Sequence, residues 1–273
     1  MDVTIFEAIV LGVVQGLAEF LPISSSGHLI LVPWLLGWQS HGLTFDLALH
    51  LGTSAALLGY FWRDWLVLAS AVIRGLTDAK VRAGHEWRLA WFIVFGCVPA
   101  AVVGVLFEDV IEATLRQPAL IALLLMAFGL LLLVADRVGK RERALEQITL
   151  SDALVIGCAQ VLALAPGVSR SGITMTAGLF RGLDRGTAAR FSFLLSAPIT
   201  VAAALYKLRV LIREPLTGSE AVAFLVGIAT AAVVGALAIG FLLRYLQRQP
   251  VDVFVWFRLV AGATVLGLVY AGW

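Results

Sequence analysis

The chain has 273 residues, of which 60% are hydrophobic and 14% are charged, with a formal net charge of +2. In soluble domains about a quarter of the residues are charged. The composition and the mean hydropathy of +0.95 therefore exclude an ordinary soluble domain. The small net charge gives no indication of a nucleic-acid partner. We predict an all-α, polytopic membrane protein.

Residues 1–38 contain two short apolar stretches, separated by a polar break from Leu21 to Gly27. Proline interrupts helices, and neither stretch reaches the roughly 20 residues that a helix needs to cross a bilayer. Non-helical backbone is tolerated at membrane depth where protein or trapped water surrounds it. We therefore expect a re-entrant helical hairpin.

Polar side chains are concentrated in this first hairpin. Gln15 and Glu19 lie four positions apart and so share one face of a helix. The break adds three hydroxyls and an imidazole, from Ser24, Ser25, Ser26 and His28. Each residue alone could serve in helix packing or capping. As a set inside a membrane segment they predict a functional site.

Six long apolar runs predict spanning helices, at roughly 45–62, 87–107, 118–135, 187–206, 221–243 and 252–271. Asp46 and His50 begin the first run, and we interpret them as capping groups at the interface, with a place in the site as the alternative. Cys97 and Cys158 stand in apolar surroundings without metal-ligand spacing. We interpret them as buried thiols.

The charged residues between the runs are expected to lie outside the bilayer. We interpret residues 63–82 and 137–146 as loops outside the bilayer. Asp184, Arg185 and Arg190 are interpreted as a local salt-bridge cluster or as side chains that snorkel to the interface. One face of the membrane carries residues 63–82 and 137–146 together with Arg244 and Arg248, and it holds most of the lysines and arginines. Residues 1–62 contain none. By the positive-inside rule that face is cytoplasmic, which places the mouth of the first hairpin and Ser40 outside and Ala79 inside.

A second break reads PGVSRSGIT, from Pro166 to Thr174, within a second hairpin over residues 151–183. An arginine at membrane depth is costly and is tolerated mainly where it works in a polar cavity. Arg170 stands between Ser169 and Ser171. A guanidinium with hydroxyls and backbone N–H groups freed by the helix break is suited to holding phosphate.

The two hairpins align without gaps at an offset of 145 positions, which pairs residues such as Gly12 with Gly157 and Gln15 with Gln160. The same frame places Ser25 opposite Arg170. We predict a single membrane domain over 1–273, with one repeat at about 1–140 and another at about 150–273. Each repeat has one hairpin and three spanning helices, so the second repeat is inverted and the hairpin tips meet near the midplane. Arg170 and Ser25 should lie within a phosphate's width of each other.

Two motifs carry a resemblance to a known family: QGLAEFLPISSSGH from Gln15 to His28, and PGVSRSGIT from Pro166 to Thr174. Together with FSFLLSAP from Phe191 to Pro198, they resemble the bacitracin-resistance type undecaprenyl-pyrophosphate phosphatases over essentially the whole chain. The resemblance implies an enzyme of the bacterial inner membrane. Such an enzyme removes the terminal phosphate of a C55 prenyl pyrophosphate, which recycles the lipid carrier of cell-wall synthesis.

The resemblance also implies a divalent cation, Mg²⁺ or Ca²⁺, and a set of site residues. The implied catalytic residues are Glu19, Ser25, His28 and Arg170. The implied substrate-binding residues are Ser24, Ser26, Gly167, Ser169, Ser171 and Thr174. Glu19 and Gln15 are the implied metal ligands, and this chain has the neutral residue at position 15, where the family accepts Glu or Gln.

The residues leave several alternatives open. We favour Ser25 as nucleophile with His28 as general base, while attack by His28 or by water remains an alternative. A transporter or flippase of a lipid phosphate is the alternative function, because broken helices in inverted repeats are typical of carriers. A non-catalytic lipid-binding subunit is disfavoured by the cost of the buried charges. The sequence leaves a homodimer open.

Overall fold

The structure, a computed structural model, describes residues 3–39, 42–213 and 218–272, and within these ranges every regular element is a helix. The helices are α1 Ile5–Phe20, α2 Ser25–Leu36, α3 Gly42–Tyr60, α4 Trp62–Gly75, α5 Ala79–Arg82, α6 His85–Thr114, α7 Pro118–Val138, α8 Leu150–Val161, α9 Arg170–Phe180, α10 Arg185–Arg213, α11 Gly218–Tyr245 and α12 Asp252–Tyr270. The predicted all-helical class is confirmed for the described residues.

Within the described part of the chain, four helical segments are long and apolar enough to cross a membrane: His85–Phe107, Pro118–Val138, Glu220–Tyr245 and Asp252–Tyr270. A bent pair, Thr44–Tyr60 with Trp62–Gly75, would make a fifth span, with an angle of 71° between its two parts. The remaining predicted run lies in α10, which has 29 residues. The structure thus supports a multi-pass membrane protein with four to five candidate spans.

The first hairpin begins and turns with specific side-chain caps. Thr4 and Glu7 form a reciprocal capping box at the start of α1, which satisfies backbone N–H groups that have no helical partner. The chain leaves the helix at Leu21, ahead of Pro22. Ser24 then caps α2 with a φ of 76°, and its hydroxyl accepts from the N–H of Gly27.

The second hairpin uses the same devices at the aligned positions. Thr149 and Asp152 form the capping box of α8. Ser169 caps α9 with a φ of 74°, and its hydroxyl accepts from the N–H of Gly172. A positive φ is uncommon for a residue other than glycine. Its occurrence at both Ser24 and Ser169 gives the two helix breaks one shared local geometry.

Each hairpin packs on a helix from the opposite half of the chain. Helix α1 lies against α11, and α8 lies against α6. At Gly12 an added Cβ would lie 2.8 Å from the Cβ of Thr230, and at Gly157 it would lie 2.1 Å from the carbonyl oxygen of Gly96. Such spacing excludes even alanine without a backbone shift. Glycine therefore allows the close backbone approach at both contacts.

Several expectations about the charged segments were wrong. Residues 63–82 form α4 and α5 instead of a loop. Residues 139–146 form a mostly exposed loop as predicted, and within it Arg143 binds the buried Asp152 carboxylate with its Nη2, at 2.6 Å. Arg185 pairs with the distant Asp136 at 2.5 Å. These interactions exist because buried carboxylates need cationic partners.

Two further residues depart from the sequence interpretation. Arg190 pairs with Asp64 of α4, so its salt bridge is long-range and not local. Cys97 is buried as expected, whereas Cys158 is exposed, and both are free thiols. Because α8 is apolar on most sides, its sequence does not show which of its faces is turned toward the protein, and Cys158 lies on the exposed one. Its thiol therefore needs to be removed in any cysteine-labelling experiment.

Candidate active site

Glu19, near the end of α1, stands at the centre of a buried polar cluster. Its Oε2 accepts from the hydroxyl of Ser25 at 2.6 Å and from the amide Nε2 of Gln15 at 3.1 Å. Its Oε1 forms an ion pair with Nη2 of Arg170. The two carboxylate oxygens thus bind one residue each from the two helix breaks. This confirms that Ser25 and Arg170 lie side by side.

Helix α3 supplies the remaining side of the cluster. The Nε2 of His50 lies 3.7 Å from Oε2 of Glu19, while its Nδ1 lies 2.8 Å from the carbonyl oxygen of Asp46. Thr53 accepts a hydrogen bond from Gln15 at 3.3 Å. We interpreted His50 as an interfacial capping group, and the structure places it in the site. His50 and Thr53 are three residues apart and so share one face of α3. This spacing was the feature of the sequence that could have placed His50 in the site.

Ser24 and Gly167 join the two helix breaks. The N–H of Gly167 donates to the hydroxyl of Ser24 at 3.0 Å. Gly167 has a φ of +102°, and an added Cβ would lie 2.6 Å from the carbonyl oxygen of Ile121. Both residues were predicted to bind substrate. In this structure their polar groups bind each other, so they hold the tips of the hairpins together.

The other hydroxyls of the second motif stabilise the start of α9. Ser171 donates to the carbonyl oxygen of Leu21 in the first hairpin at 3.1 Å, and its Oγ lies 3.3 Å from that of Ser169. Thr174 donates to the carbonyl oxygen of Arg170 at 2.7 Å and lies 2.6 Å from the hydroxyl of Ser192. Together these bonds fix the backbone that carries Arg170. Ser192 belongs to the third motif of the sequence, and its contact with Thr174 was not predicted.

Ser26 and His28 occupy the first turn of α2. Ser26 is half-buried there, and among the described residues no hydrogen bond joins it to the Glu19 cluster. The Nδ1 of His28 lies 2.8 Å from the carbonyl oxygen of Ser24, and its ring stacks on Phe257 at 5.4 Å between centroids. The predicted pairing of His28 with Ser25 is not seen, because the Ser25 hydroxyl donates to Glu19.

Arg258 of α12 binds backbone carbonyl groups of both helix breaks. It was not identified from the sequence. It is 0% exposed. Its Nη1 donates to the carbonyl oxygen of Pro22 at 3.1 Å, and its Nη2 donates to those of Gly167 and Val168 at 3.0 Å each. An arginine inside a predicted spanning helix is the signal that could have identified it.

The oxygen atoms of the cluster fit a divalent cation. The Oε1 of Gln15 is buried and has no hydrogen-bond partner. It belongs to the same side chain that donates to the Glu19 carboxylate. Mg²⁺ is commonly held by one or two carboxylates together with substrate phosphates and water. Among the described residues no group of three or more Asp, Glu, His or Cys side chains has the geometry to hold a metal ion by itself. The donor set therefore suits an ion that is completed by phosphate oxygens.

Comparisons with known proteins identify the family of the chain. A family model described as bacitracin resistance protein BacA matches residues 8–264. A protein of Pelotomaculum thermopropionicum named undecaprenyl-diphosphatase is 49% identical over 98% of both chains. Proteins of the same name from Geobacter metallireducens and Geobacter sulfurreducens are each 52% identical, over 96% and 98% of this chain and over 97% and 99% of their own. The chain belongs to the bacitracin resistance protein BacA family.

Proposed function

We propose that this protein hydrolyses undecaprenyl diphosphate to the monophosphate and inorganic phosphate, which recycles a lipid carrier and gives bacitracin resistance. The relatives named undecaprenyl-diphosphatase support the substrate, since they match nearly the full chain. The observation that carries the chemistry is the position of Ser25 and Arg170 on the two oxygens of one buried carboxylate. A nucleophile, a proton acceptor and an anion-binding cation are thereby in contact.

The first step is attack by the Ser25 hydroxyl oxygen on the terminal phosphorus. A new P–O bond forms, the anhydride P–O bond to the inner phosphate breaks, and the lipid monophosphate leaves. The hydroxyl proton passes to Glu19, whose Oε2 already accepts the hydrogen bond of that hydroxyl, with 2.6 Å between the two oxygen atoms. Water then cleaves the phosphoserine and releases inorganic phosphate. This replaces the predicted Ser25 and His28 pair with Ser25 and Glu19.

Arg170 couples the binding of substrate to the strength of its own ion pair with Glu19. In the absence of substrate its guanidinium is paired with the Glu19 carboxylate. A phosphate group that enters beside Ser25 competes for the same guanidinium, because arginine binds phosphate in bidentate geometry. Once the pairing is shared, Glu19 becomes a better proton acceptor. His28, held at Nδ1 by the Ser24 carbonyl, presents its other ring nitrogen for proton exchange.

Glu19 and Gln15 would hold the divalent cation, Mg²⁺ or Ca²⁺. The unpartnered Oε1 of Gln15 supports this assignment. When bound, such an ion would neutralise phosphate charge and polarise the phosphoryl oxygens. The Nε2 of Gln15 donates both to the Glu19 carboxylate and to the hydroxyl of Thr53 on α3, so Thr53 helps to fix the amide that orients Glu19.

We infer a topology of six spans and two re-entrant hairpins, in the bacterial inner membrane. Helix α10, at 29 residues, is long enough to be the sixth span. Helices α1, α2, α8 and α9 have 16, 12, 12 and 11 residues, fewer than the roughly 20 that a span requires. The shared caps at Ser24 and Ser169 support two related halves. One copy of the chain supplies every described group in the Glu19 cluster.

Cysteine labelling tests the orientation. Ser40, predicted to be outside, lies beyond the described residues, so the adjacent exposed Gln39 replaces it. In a Cys158→Ala background, a Gln39→Cys variant is expected to react with a membrane-impermeant maleimide in intact cells. An Ala79→Cys variant should react only after the membrane is permeabilised, because its surroundings are rich in positive charge. The opposite labelling pattern would contradict an outward-opening first hairpin.

Phosphate release from a prenyl diphosphate by the detergent-purified protein tests the activity. We expect Ser25→Ala to lower kcat by about 10⁶-fold, the order of loss that follows removal of the nucleophilic serine of a hydrolase. The matched control is Ser70→Ala, which changes an exposed serine on α4. Full activity of Ser25→Ala would assign the attack to water or His28. A wild-type protein that binds the lipid but releases no phosphate would favour the transporter alternative.

A further inference from the structure

Helix α4, Trp62–Gly75, turns away from α3 at an angle of 71°. Helix α3 has 19 residues and so rises about 28 Å, close to the roughly 30 Å of hydrocarbon in a bilayer. It is therefore long enough to be one of the proposed spans by itself. A helix that follows a span at such an angle lies closer to the plane of the membrane than to its normal. Helix α4 thus begins where α3 leaves the hydrocarbon.

One row of side chains at α4 is both apolar and exposed. Trp62, Leu66, Ile73 and Leu76 are 52%, 60%, 67% and 68% exposed. They are spaced by four, seven and three residues, so they lie on one side of the helix. Large apolar side chains exposed at the end of a span are placed to enter the acyl chains of the lipid.

Another side of α4 packs on the protein and fixes the direction of the exposed row. Leu68 is 6% exposed and belongs to the hydrophobic core. At Gly75 an added Cβ would lie 2.3 Å from the ring of Trp87 in α6, so this glycine allows the end of α4 to lie directly on the indole. Tryptophan is enriched at the membrane–water interface. Trp62 at one end of α4 and Trp87 at the other are therefore consistent with a helix at that level.

A second exposed row of α4 is basic. Arg63, Ser70 and Arg74 are exposed and follow one another at intervals of seven and four residues. At 3.6 residues per turn, this row lies about 100° around the helix from the apolar row. Lys80 and Arg82 on α5 are exposed as well. An apolar row beside a basic row is typical of a helix in the membrane interface, with its cations at the level of the lipid phosphates.

The acidic residues of this segment do not neutralise the basic row. Asp64 forms its ion pair with Arg190 of α10. The carboxylate of Asp78 caps α5, where its Oδ1 accepts a backbone N–H. In the ranges that the structure describes, no ion pair involves Arg63 or Arg74. Two guanidinium groups are therefore available to an anionic partner.

We propose that α4 and α5 form an interfacial anchor that binds the anionic head groups of membrane phospholipids. The apolar row enters the acyl chains, and Arg63 and Arg74 bind the phosphates beside it. A bilayer surface fits both rows at once, because it presents acyl chains and negative charge within one layer. The cytoplasmic leaflet, which carries a negative surface potential, is on the side predicted for this segment. The anchor does not depend on the proposed hydrolysis.

Thermal stability in the presence of lipid tests the role of the charges. Phosphatidylglycerol or phosphatidylcholine is titrated into the detergent-purified protein, and the unfolding midpoint reports binding, because a ligand of the folded state raises it. We expect Arg63→Gln combined with Arg74→Gln to raise the phosphatidylglycerol concentration at half-maximal shift by about 10- to 25-fold, since each cation near an anionic surface contributes roughly a factor of five. The response to phosphatidylcholine should not change.

The matched control is Arg244→Gln combined with Arg248→Gln, which removes two exposed arginines around the end of α11. This control should keep the wild-type response to phosphatidylglycerol. An equal loss in both double variants would overturn the proposal, because net charge alone would then attract the lipid. A wild-type response of the variant that lacks Arg63 and Arg74 would overturn it as well.

Fluorescence quenching in vesicles tests the placement of α4 without changing an arginine. In a Cys158→Ala background, a fluorophore is attached to an Ile73→Cys variant on the apolar row or to a Ser70→Cys variant on the basic row. Brominated acyl chains in phosphatidylglycerol vesicles should quench the first label strongly and the second weakly, because the apolar face of an interfacial helix enters the acyl boundary.

Equal quenching at the two positions, or none at either, would overturn the interfacial placement. Neither the stability measurement nor the quenching measurement uses turnover. A protein that passes both but releases no phosphate would therefore contradict only the proposed function, and an active protein that fails them would contradict only the anchor.

Discussion

Glu19→Gln is expected to lower kcat for diphosphate hydrolysis by roughly 10³-fold, within the range for loss of a general base. The glutamine keeps the volume of the side chain but loses its charge and one of its two acceptor oxygens. It can no longer take the proton of Ser25 while it also binds Arg170. Gln15→Ala should cost less, since a neutral amide contributes less than a carboxylate to a divalent cation and takes no proton from Ser25. Phosphate release under saturating substrate measures both effects.

Glu7→Gln is the matched control for this substitution. Glu7 lies on the same helix and accepts from the Thr4 N–H in the capping box, which glutamine can also do. An equal loss of activity from Glu19→Gln and Gln15→Ala would contradict the ranking. Full activity after exhaustive EDTA treatment would contradict the proposed divalent cation.

Arg258→Met is expected to lower the free energy of unfolding by roughly 3 kcal/mol or more, since each buried carbonyl that loses its partner costs about 1–3 kcal/mol. The substitution leaves the carbonyl oxygens of Pro22, Gly167 and Val168 without the guanidinium. Because these carbonyls belong to both helix breaks, activity should fall together with stability. The thermal unfolding midpoint in detergent and phosphate release are the two measurements.

Arg258→Lys tests whether charge or geometry is responsible. An ammonium group lacks the planar fork of arginine and cannot donate to carbonyls in both breaks at once, so we expect only partial recovery. The control Arg248→Met removes an exposed arginine and should leave the midpoint unchanged. A wild-type midpoint for Arg258→Met would show that water replaces the guanidinium. In that case the two hairpin tips would be held together by their direct contacts, which join Gly167 to Ser24, Ser171 to Leu21 and Arg170 to Glu19.

The positions of the helix breaks and the meeting of their tips could be predicted from the sequence. Pro22 and Pro166 interrupt apolar stretches too short to span, and the aligned repeat places Ser25 opposite Arg170. These are consequences of local chemistry and internal symmetry. They required no knowledge of which helices pack together.

The partners of individual side chains could not be predicted in the same way. Whether His50 faces lipid or Glu19 depends on the rotation of α3, which its neighbours determine. The 71° bend beyond Tyr60 occurs at a position without proline. Arg258 binds carbonyl oxygens, and a carbonyl acceptor has no side-chain signature in a sequence. Ser25 was assigned the wrong hydrogen-bond acceptor because two plausible acceptors lie within a few residues of it.

The packing of each hairpin on the opposite half has a consequence for biosynthesis. Helix α1, which carries Glu19, leaves the ribosome first, yet the helix that covers its glycine face is α11, near the end of the chain. Until α11 is inserted, the glycine face of α1 has no helix to pack on, although α2 and α3 already cover part of the first hairpin. A polypeptide that terminates before α11 therefore leaves this face of α1 exposed to lipid. The site reaches its described packing only once the helices near the end of the chain are in place.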